Sequence, residues 1–321
     1  MQDDKLQSLI RSVGADGHVS ADDVIFLRKQ VFADGVVNRA ELAALFALAE
    51  KAPQGDREWA DYFAEAAADF FLREEEPHGY LTQSEFEHLE AFITRDGKKA
   101  SSIELQLLVT LMEKATATPP AMAEFAAEQF LRLIAERKGG PRISGSDADL
   151  LRRYLYASAG DGSIAITREE AELLFDLHEL TYAADNDAAW ADLFIKAIAA
   201  HLMAHVGYRP LPREEALRLH DWVKDQTIDP RGFFGRMVSG GLAGIREAYG
   251  RKPSLTGRKN ADDAIAAAIA EQVNAQEADW LADRIGKNGK YDDIEKALLA
   301  FMRDLGADLP PKLAALAAKA A

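Results

Sequence analysis

Apolar residues along this chain recur at steps of three and four, as in Leu45 and Leu48 or Leu173, Leu174 and Leu177, and no stretch shows the strict alternation of a half-buried strand. That step lays one apolar stripe along a helix, so the pattern predicts an all-α protein. Each stripe begins just after a polar turn in which a small hydrogen-bonding residue is followed three positions later by an acid. The pairs are Ser20/Asp23, Asn38/Glu41, Thr82/Glu85, Ser101/Glu104, Ser144/Asp147, Thr167/Glu170 and Asp292/Glu295. This is the capping-box spacing: the first side chain accepts from an early helical amide and the acid reaches back to the cap amide. The acid also sits well against the positive end of the helix dipole.

The stripes repeat as a larger unit. EWADYFAEA from Glu58 matches AWADLFIKA from Ala189, with Trp59 and Phe63 answered by Trp190 and Phe194, and with Asp56 and Asp187 each three residues before the Trp. Upstream, Glu41, Leu45, Phe46, Leu48 and Glu50 are answered by Glu170, Leu174, Phe175, Leu177 and Glu179. A middle copy supplies Glu104, Leu108, Val109, Leu111 and Glu113, and a truncated copy supplies Glu295, Leu299, Met302 and Asp304. A related unit begins at Val19, Leu81 and Ile143, at intervals of 62 residues. Fixed-period self-similarity of this kind signals stacked supersecondary units.

The expected layout is helical modules at residues 1–73, 74–138 and 139–225, a basic glycine-rich linker at 226–260 and a helical unit at 261–321. Each module carries two turns with short helices and then a longer helix: Asp56 to Leu72, Pro119 to Ile134 or Asp187 to Met203. A further helix at Pro212 to Lys224 closes the third.

Composition narrows the function. The 321 residues contain no cysteine, which excludes disulfides, thiolate metal sites and cysteine nucleophiles. The start MQDDKLQSLIRSV lacks a secretory pattern, no run is apolar enough to span a membrane, and a cytoplasmic location is expected. A net charge of -15 argues against nucleic acid and points to cations or a basic protein surface as partners. Arg231 to Asn260 runs the other way, with seven Lys or Arg against one Glu. Such a segment serves as a linker or touches an anionic membrane peripherally.

The turns invite a comparison with calcium loops, which need oxygen ligands at defined positions around a central Gly. With Gly35 central, the third ligand position falls on Phe32, which cannot ligate. Only the loop around Gly79 offers a plausible side chain throughout: Glu74, Glu76, His78, Thr82 and Glu85, with the Tyr80 carbonyl. Aspartates also precede glycines at Asp16, Asp34, Asp96 and Asp161. There they either favour tight turns or help to cluster carboxylates at one end of a helix bundle.

Acidic helical modules with such turns, here ADGHVSADD, ADGVVNRAE and GDGSIAITREE, resemble the tellurite-resistance TerB-like family, best over residues 14–73 and 141–205, less over 79–135 and least over 273–305. The resemblance implies tandem three-helix modules with a small C-terminal helical unit. It also implies a non-catalytic role tied to divalent cations, stress responses and membrane-linked protein assemblies. Carried onto this sequence, it makes Asp16, Asp34, Glu41, Asp161 and Glu170 the metal candidates, with Ca2+ or Mg2+ as the ion. The middle module departs from the pattern, because Lys98 and Lys99 follow Asp96 and would oppose a cation.

Other chemistry is thin. His201 and His205 share a helix face at a spacing that can present two imidazoles to a metal, but His201 aligns with the apolar Phe70 and reads as a packed side chain. Phosphate-loop and serine-elbow motifs are absent, and no catalytic residue is nominated. The expected function is a non-catalytic cytosolic interaction protein whose acidic turns bind divalent cations in a stress-response or membrane-linked assembly. The alternative is a purely structural scaffold whose acids only cap helices, and which binds its partner or an anionic membrane through a groove or the basic linker.

Overall fold

A computed structural model describes residues 17–31, 37–52, 54–94, 97, 99–158, 166–204, 275–287 and 291–304, with positions 314, 315 and 318 near the C-terminus. In chain order its elements are β1 (His18–Val19), α1 (Ala21–Phe26), α2 (Arg39–Lys51), β2 (Gln54–Gly55), α3 (Arg57–Asp69), α4 (Gln83–Ile93), α5 (Ser102–Lys114) and α6 (Pro120–Ala135). They continue with α7 (Gly145–Ser158), α8 (Arg168–Thr181), α9 (Ala188–Ala204), α10 (Ala275–Arg284) and α11 (Asp293–Asp304). Helices α1 and α3 run on into wider π-type turns at Leu27–Val31 and Phe70–Glu74. The described residues are mostly helical, as the periodicity predicts, and none of their helices is long and apolar enough to cross a membrane.

The chain divides into two compact units. One comprises Met1–Gly140 with Arg153–Gly160; the other comprises Pro141–Arg152 with Asp161–Ala321, so the division falls inside α7. The predicted helix at 212–224 and the basic segment 226–260 lie outside the described residues.

In the first unit the core forms where the stripes of α2 and α3 meet. Phe46 packs edge-on against Phe63 with centroids 5.1 Å apart, and Trp59 lies 5.7 Å from Phe63. Trp59 and Phe63 are fully buried. A buried Trp removes on the order of 200 Å² from water, an upper-bound stabilisation of roughly 5 kcal/mol. Helix α5 lies against α3, where Gln106 donates to Asp61 at 2.7 Å and Lys114 pairs with Glu65. From α4, Phe92 reaches Phe46 at 4.5 Å. The second half of α7 adds Arg153, which donates to Glu113 at 2.6 and 2.9 Å, and Tyr154, whose hydroxyl donates to the Ala123 carbonyl at 3.1 Å.

The second unit builds the same core from different helices. Phe175 of α8 packs edge-on against Phe194 of α9 at 5.1 Å, and Trp190 lies 5.7 Å from Phe194. Both distances equal those of the corresponding rings in the first unit, so the sequence repeat is carried by a repeated packing geometry. Here α11 lies against α9 as α5 lies against α3. Trp280 of α10 meets Phe175 edge-on at 5.5 Å, taking the part that Phe92 plays on Phe46. Leu281, Ile285, Leu298, Leu299 and Met302 are buried, so α10 and α11 complete the core of this unit.

Short backbone ties explain the 62-residue period. Strands β1 and β2 pair in parallel, His18 with Gln54 and Val19 with Gly55, and the Asp56 amide donates to the Val19 carbonyl at 2.9 Å. The corresponding ties are Leu81 N–H to the Ala117 carbonyl at 3.1 Å and Asp187 N–H to the Ile143 carbonyl at 2.8 Å. Val19, Leu81 and Ile143 are all buried. Each tie joins the residue before a first turn to the segment before the longer helix and so closes the two-helix excursion between them. Ladders this short leave no alternating pattern for sequence reading to find.

Candidate functional site

At five of these turns the cap residue, Ser20, Asn38, Thr82, Ser101 or Thr167, is extended and followed directly by a helix. At the start of α2, Asn38 Oδ1 accepts from the amides of Ala40 and Glu41 at 3.0 and 3.1 Å, and Glu41 Oε2 accepts from the Asn38 amide at 2.9 Å. At the start of α8, Thr167 Oγ1 accepts from the Glu170 amide at 3.2 Å and Glu170 Oε2 from the Thr167 amide at 2.8 Å. Both acids are buried. Each accepts from the amide of an exposed cap residue, one of the donors that a helix start leaves without an intrahelical partner.

The other five turns behave alike. Reciprocal bonds join Ser20 with Asp23, Thr82 with Glu85, Ser101 with Glu104, Ser144 with Asp147 and Asp292 with Glu295. All seven predicted capping boxes are therefore formed.

Of the five cation candidates, Glu41 and Glu170 are the buried acids of capping boxes, while Asp16, Asp34 and Asp161 lie outside the described residues, as does Asp96. In the Gly79 loop Glu85 serves as the acid of the Thr82 box. Gly79 adopts a φ of +81°, the left-handed region that favours glycine, so turn geometry accounts for it. Among the described residues, no three His, Asp or Glu side chains gather into a group that could hold a metal.

The most charged constellation lies where α10 and α11 meet α8. Glu172, Asp176 and Glu179 form a stripe along α8. Arg284 reaches all three, with Nε 3.2 Å from Glu172 Oε2, Nη2 2.5 Å from Asp176 Oδ1 and Nη1 3.5 Å from Glu179 Oε1. Lys287 Nζ lies 3.2 Å from Glu179, the Trp280 indole N–H donates to Glu172 at 2.5 Å, and the Arg168 guanidinium stacks 4.3 Å over the Trp280 ring. Deeper in, buried His178 lies 4.8 Å from the Phe194 ring, and its Nε2 is 2.7 Å from Asp292 Oδ2, an ion-pair contact.

Burial pushes Asp292 up, but the His178 imidazole and the amides of Glu295 and Ile294 outweigh it and hold the carboxyl below its ordinary value. Its cap partner Glu295 is driven above the usual carboxylate range by burial and by the Asp292 charge, against the pull of amides at Gly286 and Asp292.

Sequence reading did not single out this cluster, although a signal existed. His178 stands where the other two complete copies carry Ala49 and Met112, and a polar ring in an apolar row needs a partner. His201 is fully buried, with Nδ1 2.7 Å from the Ile166 carbonyl and its ring 5.2 Å from Trp280, as a packed histidine should be. His205 lies outside the described residues.

No protein-family model, curated protein or solved structure matches this chain. The functional reading therefore rests on geometry.

Proposed function

We propose that this chain is a non-catalytic cytosolic interaction protein, a scaffold of tandem TerB-like helical modules whose repeated turn acids cap helices. One observation carries the reading: in all seven turns the acid is hydrogen-bonded to the amide of its own cap residue. A carboxylate committed in this way fixes where a helix starts, and seven such starts at repeated spacing set the frame of a modular surface. A protein partner is assigned to that surface and to the basic segment 226–260, whose charge opposes the acidic remainder. Calcium or magnesium at the turns is the competing occupant, with Asp16, Asp34 and Asp161 as additional ligands.

Thermal unfolding of the chelated protein, titrated separately with calcium, magnesium, zinc and manganese at constant ionic strength, decides between them. The scaffold predicts midpoints that do not move. A saturable rise following the logarithmic dependence of native-state binding would replace it with the cation reading.

A further inference from the structure

We propose that the face of α8 and α9 covered by α10–α11 is a docking site for a helical pair, and that it accepts the α10–α11 pair of a second copy of this chain by reciprocal exchange. The inference names a partner for the scaffold and stands whether or not the turns bind cations.

Three observations lead to it. The same face is built twice: α4–α5 covers α2–α3 in the first unit, and α10–α11 covers α8–α9 in the second, with ring pairs at matching places. In each unit the two-helix face is closed by a further helical pair that comes later in the chain.

Second, α10–α11 follows α9 only after residues 205–274, so its position on α8–α9 is not dictated by a short connection. Third, the contact is self-complementary in charge. The Glu172, Asp176 and Glu179 stripe meets Arg284 and Lys287, and a buried apolar row of Leu281, Ile285, Leu298, Leu299 and Met302 lies with it. A detached pair carries an apolar row that must be covered again.

Charge also selects the destination. The positions on α2 equivalent to Glu172, Asp176 and Glu179 are Ala43, Ala47 and Glu50, so the corresponding face of the first unit keeps one of the three acids that Arg284 reads and lacks the other two. A second copy's pair is therefore directed to α8 and away from α2.

Closed and exchanged forms make the same contacts. Their balance is set by chain concentration against the effective concentration of the tethered pair, on the order of millimolar for short flexible tethers and lower for long ones. Exchange grows as the chain approaches that concentration.

The absence of cysteine makes the test clean. Two full-length variants are made on a partly exposed rim: Lys287→Cys removes its ion pair with Glu179, and Glu179→Cys removes that pair and the 3.5 Å contact to Arg284 while leaving Arg284 its contacts to Glu172 and Asp176. They are mixed, one carrying a size tag, and treated with a short bismaleimide. Exchange predicts a tagged–untagged covalent dimer above the level of either variant alone. Its yield per chain should rise about tenfold for each tenfold rise in concentration while it is the minor product.

The double variant Glu179→Cys/Lys287→Cys is the control and should cross-link within one chain when dilute. A mixture giving no dimer above background at any concentration, while the double variant links internally, overturns the exchange. A dilute double variant that does not link internally overturns the docking itself.

Discussion

The sharpest test of the capping reading replaces Glu170 in two ways. In the folded chain Glu170 Oε2 accepts from the Thr167 amide at 2.8 Å, and Thr167 Oγ1 accepts from the Glu170 amide at 3.2 Å. Glu170→Gln keeps an oxygen for the cap amide, and glutamine is a native member of capping boxes. What it loses is the favourable charge at the helix N-terminus, about 0.3–1 kcal/mol. Glu170→Ala loses that charge and also the hydrogen bond from the Thr167 amide, a further cost of about 0.5–1.5 kcal/mol. Thr167→Ala removes the other half of the box for about 1 kcal/mol. Because the two bonds share one turn, the double variant Thr167→Ala/Glu170→Ala should lose less than the sum, by about 0.5 kcal/mol or more.

The assay is urea unfolding in chelator, repeated with saturating calcium and with saturating magnesium. Capping predicts the order Glu170→Ala worse than Glu170→Gln, unchanged by either cation, and the same order at Glu41 on α2. A Gln variant as damaging as the Ala variant, or damage that appears only with a cation present, refutes the argument.

The remaining predictions use the repeat and the C-terminal pair. Trp59→Ala and Trp190→Ala should each cost about 3–5 kcal/mol and agree within roughly 1 kcal/mol, because both rings are fully buried in the same geometry; unequal losses in urea unfolding would deny the structural repeat. Gly286→Ala should destabilise by more than about 1 kcal/mol, since φ is +68° and the new Cβ would stand 2.8 Å from the Tyr291 ring; an unchanged urea midpoint counts against this turn. Arg284→Ala should loosen α10–α11, read as a shift of Trp280 emission toward that of water-exposed indole, and added salt should reproduce part of the change; emission indifferent to both would remove the ionic clamp.

Acidity should act on Asp292 and Glu295 in opposite senses. Asp292 is held below its ordinary value of 3.8, so its contribution is complete above that value and is lost as pH falls through the lower folded value. Glu295 is held above its ordinary value of 4.5, so its contribution is complete below that value and is lost as pH rises through the folded value. Asp292→Asn should therefore flatten the acid limb of a stability–pH curve, and Glu295→Gln should gain on wild type as pH rises past the mid-4s. Parallel curves for all three proteins would contradict both assignments.

How much of this could be read from the sequence depends on whether an interaction is local. A capping box lies within four residues, so Ser20/Asp23 through Asp292/Glu295 were all legible, and the repeat marked Phe46 with Phe175 and Phe63 with Phe194 as equivalent positions without showing that they meet. Contacts that close over long separations were not legible. The tie between Ile143 and Asp187 is one backbone hydrogen bond, with no side-chain pattern to announce it. Arg284 and the α8 stripe stand more than a hundred residues apart in the chain, and each alone is an ordinary surface charge on a helix. The site acids Glu41 and Glu170 were visible as candidates because capping and calcium loops want the same residue three places after a small polar one; only the direction of the carboxylate separates the two.

The two cores also show where the copies have diverged and why that matters. In the first unit the cap at the start of α5 is Ser101, and the α2 residue corresponding to His178 is Ala49, so that contact carries no charge. In the second unit the same places hold Asp292 and His178, 2.7 Å apart, with Asp292 also sharing its cap with buried Glu295. Replacing an apolar contact by polar, ionisable groups seldom adds stability over good apolar packing, because desolvation offsets most of the attraction. What such a replacement adds is selectivity, since a helical pair lacking the acid would strand His178. The divergence therefore falls where discrimination is needed: at the face that holds a pair joined through residues 205–274, rather than at the face of α2–α3, whose pair follows after a short connection.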